Sequence, residues 1–377
     1  MKAIVAIDSF KGCLTSGQAG QAALGALDPD STVIPVSDGG EGFSRILTDL
    51  LHGEIRTVPV TDPLGRRIHA SFGLVQYGRT AVIETAAASG LGLLAPEERN
   101  PLAASSYGTG ELLTAALDEG VDEIWLGLGG SATCDGGTGL LQALGYRFLT
   151  PGGVLEPRHT VLGNIQRIDS SHRDNRLQDC RITGFYDVSV PFCGKGGAAQ
   201  LFAPQKGAGP EMVEALDAWM AQLCSVYSAF SGREIRHVPG SGAAGGIGGA
   251  LRAFLHATMN PGIRHLLDLA EMGPALDTCD LVITGEGHAD AQTLRGKVPA
   301  GVLEYVREYD AACGGGRHTR VVLLAGRVTD RDSLLAAGFD AVLEATPADM
   351  PLSEALVPAT AAANIRKAIS ALSAHDR

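Results

Sequence analysis

The sequence predicts an α/β protein in which both chain ends build one parallel-sheet domain and the middle forms an inserted α/β domain of α+β character. Strand, polar turn and helix follow one another repeatedly at both ends, which is the pattern of a parallel sheet. The middle instead shows paired short strands separated by turn signals. Composition agrees: 45% of residues are hydrophobic but only 5% aromatic, so the interior is made mainly of Ala, Leu, Val and Ile. Glycine supplies 50 of 377 residues, close to twice the ordinary share of about 7%. With only 18 prolines and no Gly-x-y period, that excess points to backbone turns that approach a ligand closely, not to collagen or disorder.

The apolar run Ala3–Ile7 ends abruptly at Asp8-Ser9-Phe10-Lys11-Gly12 and reads as a buried strand. Thr15 caps a helix whose Ala19, Ala22, Ala23, Ala26 and Leu27 recur at helical spacing, and Asp28-Pro29-Asp30 stops it. A second strand is expected over 32–36, then the turn Ser37-Asp38-Gly39-Gly40-Glu41-Gly42 and an amphipathic helix carrying Phe43, Ile46, Leu47 and Leu50. Near the C-terminus, 280–284 reads as a strand with Gly285-Glu286-Gly287 as its turn; strands at 321–325 and 341–343 follow, with helices at about 299–310, 331–337 and 353–372. In the middle, strands are expected at 56–60, 68–75, 80–84, 124–128 and 182–186. A long helix over 210–227 carries Val213, Leu216, Met220, Leu223 and Tyr227 on one face. The domains are accordingly drawn as 1–60 with 276–377, and 61–275.

The formal net charge of −12 opposes a sequence-independent grip on nucleic acid or on an anionic membrane surface. The 7 cysteines include no Cys-x-x-Cys, which fits a reducing cytoplasm better than a disulfide framework. No uncharged apolar stretch is long enough to span a bilayer. Oligomeric state is left open.

Chemistry-bearing residues collect where strands end. Asp8-Ser9-Phe10-Lys11-Gly12 offers a carboxylate, a hydroxyl and an ammonium at a strand's carboxyl end, where open α/β sheets bind ligands. Asp38-Gly39-Gly40-Glu41-Gly42 and the tract from Gly127 to Gly139 place glycine amides before helices, as anion cradles do. Neither is a Gly-x-Gly-x-x-Gly or a Walker loop. The tract from Pro239 to Ala250 is either another phosphate-directed helix start or close packing on small residues. Asp187 follows a strand, Lys206 lies in the basic turn Pro204-Gln205-Lys206-Gly207, and Gly285 to Lys297 places acids and bases together. No nucleophile elbow is present, and the histidines have no metal-ligand spacing.

Taken in order, Ile7-Asp8-Ser9-Phe10-Lys11-Gly12, Asp38-Gly39-Gly40-Glu41-Gly42, Thr85-Ala86-Ala87-Ala88-Ser89-Gly90-Leu91, Tyr107-Gly108-Thr109-Gly110-Glu111-Leu112, Gly129-Gly130-Ser131-Ala132-Thr133, Pro204-Gln205-Lys206-Gly207-Ala208 and Thr284-Gly285-Glu286-Gly287 resemble the bacterial glycerate kinase family that forms 2-phosphoglycerate. The resemblance covers essentially the whole chain. It implies ATP-dependent, Mg²⁺-assisted phosphorylation of D-glycerate, on a Rossmann-like domain from both chain ends plus an inserted α/β domain, with the active site in the cleft between them. The sequence departs from the family's usual pattern at Ile7, Cys134, Val190 and His288, where Pro, Asn, Asn and Arg are usual. The alternative left open is a homologue that binds nucleotide or anion as a regulator, or acts on another hydroxy acid.

On this reading Ser9, Lys11 and Arg295 hold the glycerate carboxylate and hydroxyls, with Asp38, Gly39 and Gly40 beside them. Gly129, Gly130, Ser131, Ala132 and Thr133 cradle phosphates, as do Gly242, Gly245 and Gly246, and Lys206 offsets phosphate charge. Asp187 and Asp38 are the expected Mg²⁺ contacts. Asp290 is the expected base or hydroxyl-orienting group, with Asp8 the runner-up and Asp187 also in the catalytic set.

Overall fold

The computed structural model describes residues 2–156, 164–187, 189–314 and 316–375. The chain divides into two compact units, Met1–Asp38 with Pro261–Arg377, and Gly39–Asn260.

The first unit is built on a five-stranded sheet in the order Ala341–Glu344, Arg320–Val328, Leu281–Ala289, Ala3–Ile7, Thr32–Val33. Neighbouring strands are parallel throughout, with Ala3 opposite Leu281 and Leu281 opposite Arg320. Ala3, Val5, Ile7, Ile283, Val322 and Leu324 share a core with Ala19 and Ala23 of the helix Ser16–Leu24 and with Ile365 and Ile369 of Pro358–His375. The alternate residues Ile4, Val282, Val321 and Leu323 are buried as well. Burial on both faces is what makes such strands read as continuous apolar runs. Thr15 closes a capping box with Gln18: its Oγ1 accepts the Gln18 amide, and its own amide donates to Gln18 Oε1.

The second unit carries a six-stranded sheet in the order Thr258–Pro261, Arg181–Tyr186, Glu123–Gly127, Thr80–Glu84, Arg67–Val75, Glu54–Thr61. Its centre is parallel and its Glu54–Thr61 edge antiparallel. A small antiparallel sheet joins Gly153–Val154, Arg147–Thr150 and Arg167–Asp169. Tyr227, on the helix Pro210–Ser231, is fully buried against Phe148, Phe192 and Phe254, and its hydroxyl donates to Gly136 O at 3.0 Å.

Several expected boundaries move, each for a local reason. The units part after residues 38 and 260 instead of 60 and 275. The helix Phe43–Leu50 is tied to the second unit's sheet because Ser44 Oγ donates to Val82 O, and Glu54–Thr61 is an edge strand of that sheet. The segment 261–275 joins the first unit, where Ile263 closes on Gly301 of the helix Val298–Cys313. The expected strand 32–36 pairs only over Thr32–Val33, since Pro35 has no amide to continue the ladder. Finally, Gly285-Glu286-Gly287 is not a turn. The strand Leu281–Ala289 runs through it, pairing Gly285 with Leu324 and His288 with Arg327. A side chain on Gly285 would run into Leu324 O, so glycine here serves strand contact.

Candidate active site

In the first unit the carboxyl ends of the parallel strands gather acids. Asp8 follows Ala3–Ile7 directly; its amide donates to Gly285 O at 2.8 Å and its Oδ1 accepts the Ser9 amide at 2.7 Å. Asp8, Asp38 and Glu286 are each only 8% exposed. Burial, and next the charge of Asp38, pushes the Asp8 carboxyl well above the usual carboxylate range; Glu286 adds to this, while the Ser9 amide and Lys11 oppose it. Glu286 accepts the Thr293 hydroxyl at 2.6 Å and pairs with the Lys297 ammonium at 3.1 Å. Thr293 Oγ1 in turn accepts the Asp290 amide at 3.0 Å, and Asp290 Oδ1 accepts the Gln292 amide at 2.7 Å. Ser9 and Asp290 are half-buried, and Lys11 and Arg295 are exposed.

In the second unit three parallel strands, Thr80–Glu84, Glu123–Gly127 and Arg181–Tyr186, end side by side. The Gly39–Gly42 segment is wedged against their ends. The Gly129 amide donates to Gly39 O at 3.0 Å, and Leu128 N donates to Phe185 O at 2.8 Å. A side chain on Gly129 would run into Gly40 Cα, and one on Gly39, which has φ of 99°, would sit 2.8 Å from Phe185 O. Asp187 is half-buried just past Phe185 and Tyr186. Of the next loop, Gly129 is half-buried and Gly130 exposed, whereas Ser131, Ala132 and Thr133 are buried.

The rest of the glycine tract serves the protein's own helices. Asp135 is fully buried and accepts the Ser106 amide and hydroxyl at 2.9 and 2.7 Å, the Gly137 amide at 3.0 Å and the Gly139 amide at 3.2 Å. It thereby satisfies amides at the starts of Tyr107–Asp118 and Thr138–Ala143, the second of which the sequence offered to an external anion. Lys206 is likewise interior: its ammonium, 3% exposed as a residue, donates to Ser131 Oγ at 3.0 Å and Thr133 O at 2.7 Å. Burial lowers its proton affinity, with Cys134 and Asp135 opposing. It braces the 131–133 backbone from behind. Gly242, Gly245 and Gly246 are also buried; side chains there would collide with Pro191 O, Thr133 O and Gly136 Cα, the close packing that was the second reading of that tract.

Across residues 3–375 the chain matches the model of the glycerate kinase family. The chain belongs to the glycerate kinase family. Membership places it among phosphotransferases with an alcohol group as acceptor, and the kinase class implies ATP as phosphoryl donor. It is 42% identical over 355 residues to a glycerate kinase of Haemophilus influenzae, covering 91% of this chain and 90% of that one. It is 39% identical over 362 residues to the glycerate 2-kinase of Escherichia coli, covering 94% and 93%. The crystal structure of a Salmonella typhimurium LT2 protein assigned as a glycerate kinase 2 superposes with a TM-score of 0.79 at 39% identity, covering 100% of this chain and 98% of that one.

Within the family frame, Asp8, Ser9, Lys11, Asp38, Asp290 and Arg295 lie in the first unit, and Gly39, Gly40, Gly129–Thr133, Asp187, Lys206, Gly242, Gly245 and Gly246 in the second. Glu286 and Lys297 both lie in the tract 285–297 that the sequence marks for chemistry, but their pairing was hidden because Gly285-Glu286-Gly287 reads as a turn; the alternation Val282, Thr284, Glu286 was the available signal. It also passed over Glu84, the last residue of its strand. Cys134 and Val190 are interior, whereas His288 is exposed on its strand with Nε2 3.2 Å from Thr329 Oγ1. Among the described residues no helix is long and apolar enough to cross a membrane, and no group of three or more His, Cys, Asp or Glu is arranged to hold a metal.

Proposed function

We propose that the chain transfers the terminal phosphoryl group of ATP to D-glycerate, forming 2-phosphoglycerate and ADP. The observation that carries this reading is the crowding of Asp8, Asp38 and Glu286 beside Lys11 and Lys297 at parallel-strand ends, in a member of the glycerate kinase family. Ser9, Lys11 and Arg295 bind the hydroxy acid, Arg295 gripping its carboxylate through a planar fork. Asp38, Gly39 and Gly40 contribute to the same binding, and the amide of Gly130, the exposed residue of its loop, faces phosphate oxygens. Asp8 takes the proton as the substrate O–H bond breaks, since its raised proton affinity suits a general base. The freed oxygen attacks the terminal phosphorus, and the bond to the ADP oxygen breaks with its electron pair leaving on ADP. Asp290, held by Gln292 and Thr293, orients the hydroxyl.

The residues fit Mg²⁺. Asp38 and Asp187 are hard oxygen donors, and the charge that Asp38 imposes on Asp8 is an excess that a cation relieves. One or two carboxylates suffice, since Mg²⁺ keeps several waters. Bound at either carboxylate, Mg²⁺ would supply neutralisation of the charge on the transferring phosphoryl.

A coupled ADP-release assay on the full chain, run over a panel of hydroxy acids with and without Mg²⁺, tests the reading. Turnover with D-glycerate and phosphorus NMR of a 2-phosphate product are expected. ADP release with another hydroxy acid only, or with none, sinks it.

A further inference from the structure

We propose that Glu84 is a positioning residue that holds the Gly39–Gly42 loop by capping, from a different element, the helix that follows it. The helix Phe43–Leu50 begins at Gly42, which has φ of 89° and no side chain, so the helix lacks a cap of its own. Glu84 supplies one from the end of Thr80–Glu84. Its Oε1 accepts the Ser44 amide at 2.7 Å, and the neighbouring Gly42 and Arg45 amides also favour its charged form. The tie is doubled because Ser44 Oγ donates to Val82 O on the same strand, at 2.6 Å. Glu84 stands opposite Gly127 in the sheet, and just beyond Gly127 the Gly129 amide binds Gly39 O. One carboxylate therefore anchors the downstream end of a loop whose upstream end is pinned by Gly129.

This role rests on the proposed assignment of Gly39 and Gly40 to substrate binding. A free glycine loop has many conformations to lose on binding. A carboxylate that holds the Ser44 amide, on a strand that also takes the Ser44 hydroxyl, removes that freedom beforehand, so the gain falls on affinity for whatever the loop contacts. Among the described residues the Glu84 carboxylate accepts its hydrogen bond from a backbone amide, that of Ser44, so Glu84 acts through the loop.

The test uses the full chain and Glu84→Gln, which keeps the side-chain volume but removes the negative charge and turns one terminal acceptor into a donor. Glu111→Gln is the control, because Glu111 caps Thr61 N and Oγ1 elsewhere in the unit. The expected result is KM for D-glycerate raised about tenfold by Glu84→Gln, with kcat and KM for ATP changed less than about twofold. Glu111→Gln is expected to lower Tm and leave both KM values alone. A drop in Tm for Glu84→Gln with KM for glycerate unmoved makes Glu84 merely structural and overturns the proposal. Amide hydrogen exchange supplies an arm independent of substrate: exchange at Gly42, Ser44 and Arg45 should quicken about tenfold or more in Glu84→Gln, with Tyr107–Asp118 unchanged. Unaltered exchange there overturns it even if glycerate proves not to be the substrate. Absence of turnover in the wild-type chain would overturn the functional reading instead, leaving exchange to decide Glu84.

Discussion

A buried charge costs little only when it has partners, and each buried ion of this protein is informative by the partners it keeps. Asp8 is crowded by Asp38 and Glu286, whereas Asp290 is engaged in a local turn with Gln292. Asp8→Asn is therefore expected to lower kcat by about 10²–10⁴-fold, the span of a general base, and Asp290→Asn mainly to raise KM for the hydroxy acid; kinetics that reverse this order would return the base to Asp290. Lys206 spends its ammonium on Ser131 and Thr133. Replacing it with Met leaves those oxygens unserved, at about 1–3 kcal/mol of stability, and should loosen the loop enough to raise KM for ATP. Denaturant melts and ATP titrations check both effects. Burial pushes the Glu84 carboxyl from its usual 4.5 up to about 7. A raised acid favours the folded state below its unfolded pKa, and that contribution is lost as pH climbs through the folded one. Between pH 4.5 and 7.5 the Tm of the wild type should thus fall by a few degrees relative to Glu84→Gln, and parallel Tm curves would contradict it. Residue types at the ends of strands were legible in the sequence. Which of them face a ligand was not, because Asp135 and Lys206 look like site residues until their partners are known.

At the scale of elements, the strand-to-helix grammar was readable wherever an apolar run was long and both sheet faces were covered, as at Ala3–Ile7. It misled where glycine stood inside a strand. Gly285 and Gly287 resembled a turn, yet Leu281–Ala289 continues past both, since backbone pairing with Arg320–Val328 outweighs a glycine's weak strand preference. The same ambiguity ran through the glycine loops. Those at 242–246 sit where helix and loop backbones pack with no room for a side chain, while Gly129 lets two loops meet. Gly129→Ala should drive its loop away from Gly40 and raise KM for both substrates by about tenfold or more, at modest cost in Tm. A variant with wild-type KM values would show that the contact between those loops has no part in binding.

For the whole molecule, the second unit is continuous in sequence and has a core of its own from Val60 to Ala257. A chain of residues 39–260 is therefore expected to fold alone, with near-UV circular dichroism and one cooperative thermal transition. A broad, non-cooperative melt would show that it needs the flanking segments. The first unit offers no such fragment, because its central strand Leu281–Ala289 pairs with Ala3–Ile7 from the far end of the chain. The sequence by itself determined the α/β class, the discontinuous parallel sheet, the long helices and the family, because periodicity, strand-end chemistry and motif order are local properties of the chain. Only the tertiary structure decided where the units divide, which glycines face a neighbouring backbone, and which charges are already spent on partners. Those outcomes depend on residues distant in sequence meeting, as Lys206 meets Ser131 and Glu84 meets Ser44, and no local pattern encodes such meetings.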